Sequence, residues 1–233
     1  PAGGDAGGLL LGEVCPIGGE SMAAMMGSQG PCRVGVFGGG PDSALRCWDM
    51  AGNSYGATTP MSLHDKARDV LSRVGHDRSA IGVFPMPGTD MAEDWWTMLG
   101  TGLGVDKKTS LRVVARLPFV DVERDRDGAV ALVVAQAGFD PTGSDTSLIS
   151  IFATESLSES RVVALFEAAG FKGYRIAGAK RADGAAPHAY LVAVPDHVAP
   201  DDGRLAALEA KPVAEVRLLG GYANPLRLAR DGE

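Results

Sequence analysis

Several places in this chain hold residue types that can do chemistry. The turn Gly38-Gly39-Gly40 joins a short apolar run to a helical stretch. Backbone N–H groups at such a helix start attract carboxylates or phosphates, and Ser43 lies close behind, although the charge of Asp42 opposes an anion. A tight turn that needs positive φ explains the same glycines. GGGPDS has neither the dinucleotide-binding nor the P-loop spacing, which argues against a nucleotide. His64-Asp65 invites an acid/base role, but solvated helix-face residues are the plainer reading. Ser43, Ser62 and Ser147 lack a nucleophile elbow and read as caps and turns. Trp95 and Trp96 are adjacent, so one is expected in the core and the other against a second domain or a partner. Met22, Met25 and Met26 read as apolar filling. His64, His76, His188 and His197 show no metal-ligand spacing. Cys15, Cys32 and Cys47 form no CxxC pair, so neither a metal nor a cofactor is expected.

The composition sets bounds on these sites. A chain of 233 residues allows one or two domains. Hydrophobic residues at 45% and charged residues at 22% are ordinary for a globular protein. A net charge of −7 argues against nucleic acid or an anionic membrane as partner. No apolar run reaches the ~18 residues of a membrane span, and the start lacks a basic signal-peptide region. The reading is a cytoplasmic protein with reduced thiols. The first residue is Pro1 rather than Met, so a fragment or processed product is expected.

The elements that must position these residues follow from pattern. Arg33–Phe37 is a short β-branched run, read as a buried strand. Asp42 or Ser43 is expected to cap the next helix, with Gly52 at its end. Ser62 is expected to cap a second helix, with Leu63, Ala67, Val70, Leu71 and Val74 on one face. Ile81–Phe84 is a strand and Met91–Leu99 a third helix. Leu111–Val120 and Ala129–Ala135 are strands around the charged turn DVERDRDG. GFDPTGSD (138–145) reads as a linker. Beyond it come strand Leu148–Ala153, helix Ser158–Ala169, strands Tyr174–Ala179 and Ala189–Val194, helix Asp201–Leu208 and strand Val213–Leu219. That order, βαββαβ, is ferredoxin-like.

The segment AIGVFPMPGT (80–89), behind SLHDKARDVLSRVGHDRS, resembles the helix, strand and active-site loop of prephenate dehydratases. DTSLISIFATESLSESRVVALFEAAGF and EVRLLGGYANP resemble the opening and final strand of the ACT regulatory domain that follows the dehydratase. SMAAMMGSQGPCRVGVF is similar to the junction where the last helix of an all-helical chorismate mutase meets the first dehydratase strand. Gln29 falls where that helix carries a residue contacting the ether oxygen of chorismate. The resemblance implies three segments: a mutase-helix remnant over 1–31, a single periplasmic-binding-like α/β lobe over 32–140 and an ACT-like α+β domain over 145–230.

The departures from the family shape the expected function. The family's Glu-Asn-Ser is replaced by Pro87, Gly88 and Thr89, and its Thr-Arg-Phe aligns with Ala129, Val130 and Ala131. LRVVARLPFV runs almost directly to AVALVVA, so the second substrate-clamping lobe is expected to be absent. The ACT ligand motifs are replaced near Ser158–Arg161 and Ala177–Lys180. The expectation is a regulatory or dimerisation module without dehydratase chemistry, in a chorismate mutase family protein of phenylalanine and tyrosine biosynthesis. The alternative is an active mutase, given upstream helices, or a dehydratase with an altered site. The expected ligand is a small carboxylate, namely chorismate, prephenate or an aromatic amino acid, held by Gly39, Gly40, Ser43 and Thr89. Gln29 is the expected catalytic residue of a mutase parent, and a homodimer is the expected assembly.

Overall fold

The computed structural model describes residues 32–56, 58–88, 93–100, 111–121, 130–179 and 188–227. Its first half is an α/β lobe. Strand β1 (Arg33–Phe37) runs into helix α1 (Pro41–Tyr55), then β2 (Met61–His64), helix α2 (Ala67–His76) and β3 (Ala80–Pro85). The strands lie in the order β2-β1-β3 and are parallel, with Phe37 level with His64. Strands β4 (Arg112–Leu117) and β6 (Ala131–Ala135) extend the sheet antiparallel. A two-residue strand β5 (Val120–Asp121) lies between them in the chain.

Alternation along the strands decides which helix covers which face. Val34, Val36, Ile81 and Val83 pack with Cys47 and Ala51 of α1. Phe37, Ala80 and Phe84 point the other way, to Ala67, Val70, Leu71 and Val74 of α2. Burial on both faces accounts for the continuous apolar runs of β1, β3 and β6.

The second half is the expected βαββαβ unit: β7 (Asp145–Ala153), α3 (Glu159–Ala168), β8 (Tyr174–Ala179), β9 (His188–Val194), α4 (Gly203–Ala207) and β10 (Val213–Ala223). Its strands run β10-β7-β9-β8, all antiparallel. Val162 and Phe166 of α3 close a core with Ile149, Ile151 and Val192. A last short strand, β11 (Leu226–Arg227), pairs in parallel with β5.

The two halves share one nine-stranded sheet, joined where β10 meets β4 at Gly220 and Val113. Gly220 has φ 105°, and a Cβ there would lie 2.2 Å from the Val113 carbonyl oxygen. Arg217 ties the seam further. Its guanidinium donates to the carbonyls of Thr97 and Leu99 at 3.1 and 3.2 Å and stacks 4.2 Å above the Phe152 ring.

Several expectations are corrected. Ser62 caps no helix: it lies in β2, and Leu63 is exposed on that strand rather than on a helix face. Neither Asp42 nor Ser43 is the cap of α1. Gly40 takes that place with Pro41 in the first turn, and the helix runs past Gly52 to Tyr55. Of the expected third helix, the described part is a single 3-10 turn, Trp95–Met98. Both tryptophans are buried there. Trp95 stacks on Phe84 at 4.5 Å and donates to the Pro85 carbonyl at 3.0 Å. The 138–145 segment is fixed at its end, where the Asp145 carboxylate accepts from the Thr142 and Gly143 amides. Among the described residues, no helix is long and apolar enough to cross a membrane.

Candidate functional site

In an open α/β sheet, ligands bind outside the carboxyl ends of the strands, where connections leave to opposite faces. Here β1 hands the chain to α1 on one face, and β2 hands it to α2 on the other. The cleft that results has a volume of about 510 Å³. The Gly38–Gly40 turn and Pro41 form one wall, Leu63, His64 and Asp65 another, and Glu93 a third. Phe37 and Ala44 add apolar surface.

The glycine wall follows from local geometry. A Cβ on Gly38 would lie 2.2 Å from the Ala44 Cβ, so only glycine lets α1 start so close to β1. Gly39 has φ 67°, the left-handed region that favours glycine. Gly40 then caps α1 with no side-chain acceptor. The open first turn carries partial positive charge and suits an anion.

The other walls carry opposite chemistry. Glu93 Oε2 accepts from the Ala67 amide at 3.1 Å, which caps α2 from outside, since Lys66 at the cap position has no side-chain acceptor. Asp65 is exposed at the rim. Next to Glu93, burial pushes the Asp94 carboxyl up, partly opposed by the nearby Trp96 indole N–H. His64 Nε2 lies 2.9 Å from Ser62 Oγ, and Arg73 donates to that hydroxyl at 2.7 Å. The cleft therefore offers backbone amides to an anion, carboxylates to a cation, and apolar contact between them. Among the described residues, no group of three or more His, Cys, Asp or Glu is placed to hold a metal ion.

Of the residues expected from sequence, Gly39 and Gly40 line the cleft. Ser43 sits on α1 and hydrogen-bonds to the Cys47 thiol, which burial pushes up to about 11 despite that bond. Thr89 and Gln29 lie outside the described residues. His64 and Asp65 were expected on a solvated helix face. Instead His64 closes β2, Asp65 follows it, and both border the cleft. Sequence reasoning missed Glu93, whose partner Ala67 lies 26 residues away, beyond any local pattern.

No protein-family model matches this chain, and no curated protein does. Solved structures do. A protein described as GqqA, a novel type of quorum quenching acylase, aligns with TM-score 0.57 and 11% identity over 82% of this chain and 95% of its own. Prephenate dehydratase from Streptococcus mutans aligns with TM-score 0.54 and 12% identity over 84% of this chain and 100% of its own. Prephenate dehydratase from Arthrobacter aurescens, solved in complex with L-Phe, gives TM-score 0.51 and 14% identity over 82% and 90%. At these identities the likeness concerns the fold, and this chain has the α/β fold of those enzymes.

Proposed function

We propose that this chain uses the dehydratase fold as a regulatory or dimerisation module of aromatic amino acid biosynthesis, attached to a chorismate mutase, and that it does not dehydrate prephenate. The observation that carries this reading is the cleft lining. Its described ionisable residues are His64, Asp65 and Glu93. A substrate bearing two carboxylates meets carboxylates where it needs fixed cations, and like charges that close repel. The replacement of Thr-Arg-Phe supports the same reading. Ala131 is fully buried in β6, and Val130 accepts a backbone bond from Met86. Loss of a hydroxyl group to water needs a proton donor at the leaving oxygen, and alkyl side chains offer none.

The ligand proposed for the cleft is a small carboxylate of the same pathway, its anion on the amides beside Gly39 and Gly40. Ser43 and Thr89 belong to this proposal as neighbours. The ACT-like role of residues 145–230 and pairing with a second copy are part of the same reading. The ferredoxin-like order supports the first, and the place of β8 at the edge of the sheet among the described residues supports the second.

The deciding measurement is phenylpyruvate formation from prephenate by the purified protein. The expected result is background. Turnover that a single substitution in the cleft abolishes overturns the proposal. The mutase attachment is tested through Gln29→Ala in a chain extended upstream, by chorismate consumption. The expected loss is on the order of 10²–10³-fold, the usual effect of one transition-state donor.

A further inference from the structure

One cluster beside the cleft has chemistry that the proposed module does not use. Ser62 and His64 are two residues apart on β2 and share one face of the strand. Ser62 Oγ lies 2.9 Å from His64 Nε2, and on its other side Arg73 Nη1 from α2 donates to it at 2.7 Å. His64 borders the 510 Å³ cleft. Ser62 is half-buried next to His64, the member of the cluster that lines the cleft.

A hydroxyl with an imidazole on one side and a guanidinium on the other is set up as a nucleophile. The imidazole in its neutral form takes the proton, and the fixed positive charge favours the oxyanion left behind. A strand-to-helix staple needs only the Arg73 bond. The imidazole nitrogen aimed at the same oxygen is what a staple leaves unexplained.

We propose that Ser62 is an acyl-accepting nucleophile with His64 as its general base, and that the cleft takes an activated ester or thioester with a short apolar acyl group. Phe37, Leu63 and Ala44 supply the apolar surface for that group. The Ser62 proton passes to His64 Nε2 as Oγ bonds to the acyl carbon. The carbon's bond to the leaving oxygen or sulfur then breaks, and the leaving group takes the proton from His64. Water next attacks the acyl carbon and gives a proton to His64. The bond to Ser62 breaks, and Oγ recovers its proton from the imidazole. Arg73 keeps its charge throughout. This chemistry is independent of prephenate dehydration, so the two proposals fail separately.

The test is a fluorophosphonate probe on the full chain, with the adduct mapped by mass spectrometry, alongside p-nitrophenyl acetate hydrolysis. The expected adduct is on Ser62, formed by an Oγ–P bond as the P–F bond breaks and fluoride leaves. Ser62→Ala should remove both signals. His64→Gln, which keeps a hydrogen-bonding group but no base, should slow labelling by about 10²-fold or more. Arg73→Lys, which keeps the charge, should retain more activity than Arg73→Met. No adduct on Ser62 overturns the proposal, and so does labelling at the unaltered rate in His64→Gln. The adduct map on the unaltered chain decides even where Ser62→Ala unfolds.

Discussion

The described helices of the two halves begin in different ways. In the ferredoxin-like half, Ser158 accepts from the Arg161 amide and Asp202 from the Arg204 amide, so α3 and α4 are capped from within. In the α/β lobe, Gly40 and Lys66 stand at the cap positions, and neither offers a side-chain acceptor to the first turn. Helix α2 borrows Glu93 from a distant loop, and α1 stays open toward the cleft. One half satisfies its helix starts with neighbours in sequence. The other leaves polar groups open or dependent on remote contacts, and those groups surround the cleft. Unsatisfied helix starts are costly when buried, so a fold that keeps them open at a cleft keeps them available to a ligand.

If the lobe depends on remote contacts, the largest loss should come from the turn that carries them. Trp95→Ala removes a fully buried ring stacked on Phe84 and the donor to the Pro85 carbonyl. Large aromatic truncations cost about 3–5 kcal/mol. The expected outcome is a drop of that size in urea unfolding, together with loosening of the Glu93 cap. A loss below ~1 kcal/mol breaks the comparison.

The seam comes next. Gly220→Ala places a Cβ 2.2 Å from the Val113 oxygen at φ 105°. The left-handed strain costs about 1–2 kcal/mol and the overlap about 1–3. Thermal melting should show the loss. Two separated transitions would show that the halves unfold apart once the seam is strained. A single unshifted transition would show that β10 and β4 do not hold the halves together.

Much of this architecture was legible and part of it was not, for physical reasons. Strands β1, β3, β6, β7 and β9 announce themselves as β-branched runs because both faces are buried. The helix start at Ser158 was legible to within a residue, and Ser158 caps it through a partner only three residues away. Ser62 was misread because Ser62 and Asp65 imitate a capping pattern, while β2 is a four-residue edge strand too short to show alternation. Pro41 in the first turn of α1 already favoured Gly40 over Asp42 as the cap. Glu93 and Arg217 act across the fold, and no window of sequence contains both partners.

A smaller effect sharpens the contrast. Ser158→Ala should cost about 1 kcal/mol, and Ser158→Gly only a few tenths. Urea midpoints of the two variants check this, and equal losses would mean that the hydroxyl contributes little as a cap.

The smallest effect concerns sign, and two aspartates carry it. Arg204 hydrogen-bonds to Asp202 and holds its carboxyl below the usual range. The folded state then binds fewer protons than the unfolded one. That stability is present above the unfolded value of about 3.9 and is lost as pH falls through the lower folded value. Asp94, beside the cleft, is the reverse. Burial raises its carboxyl, so the folded state binds more protons and stability falls as pH rises from about 3.9 through the folded value. Asparagine still caps a helix well, so Asp202→Asn removes mainly the charge. At pH 7, Asp202→Asn should lose stability and Asp94→Asn should gain it, each by less than about 1 kcal/mol after solvent screening. Near pH ~3 both differences should shrink. Urea midpoints at the two pH values decide it. Differences of the same sign would mean that the cleft side holds no desolvated carboxylate, and the contrast between the halves would then rest on the helix starts alone.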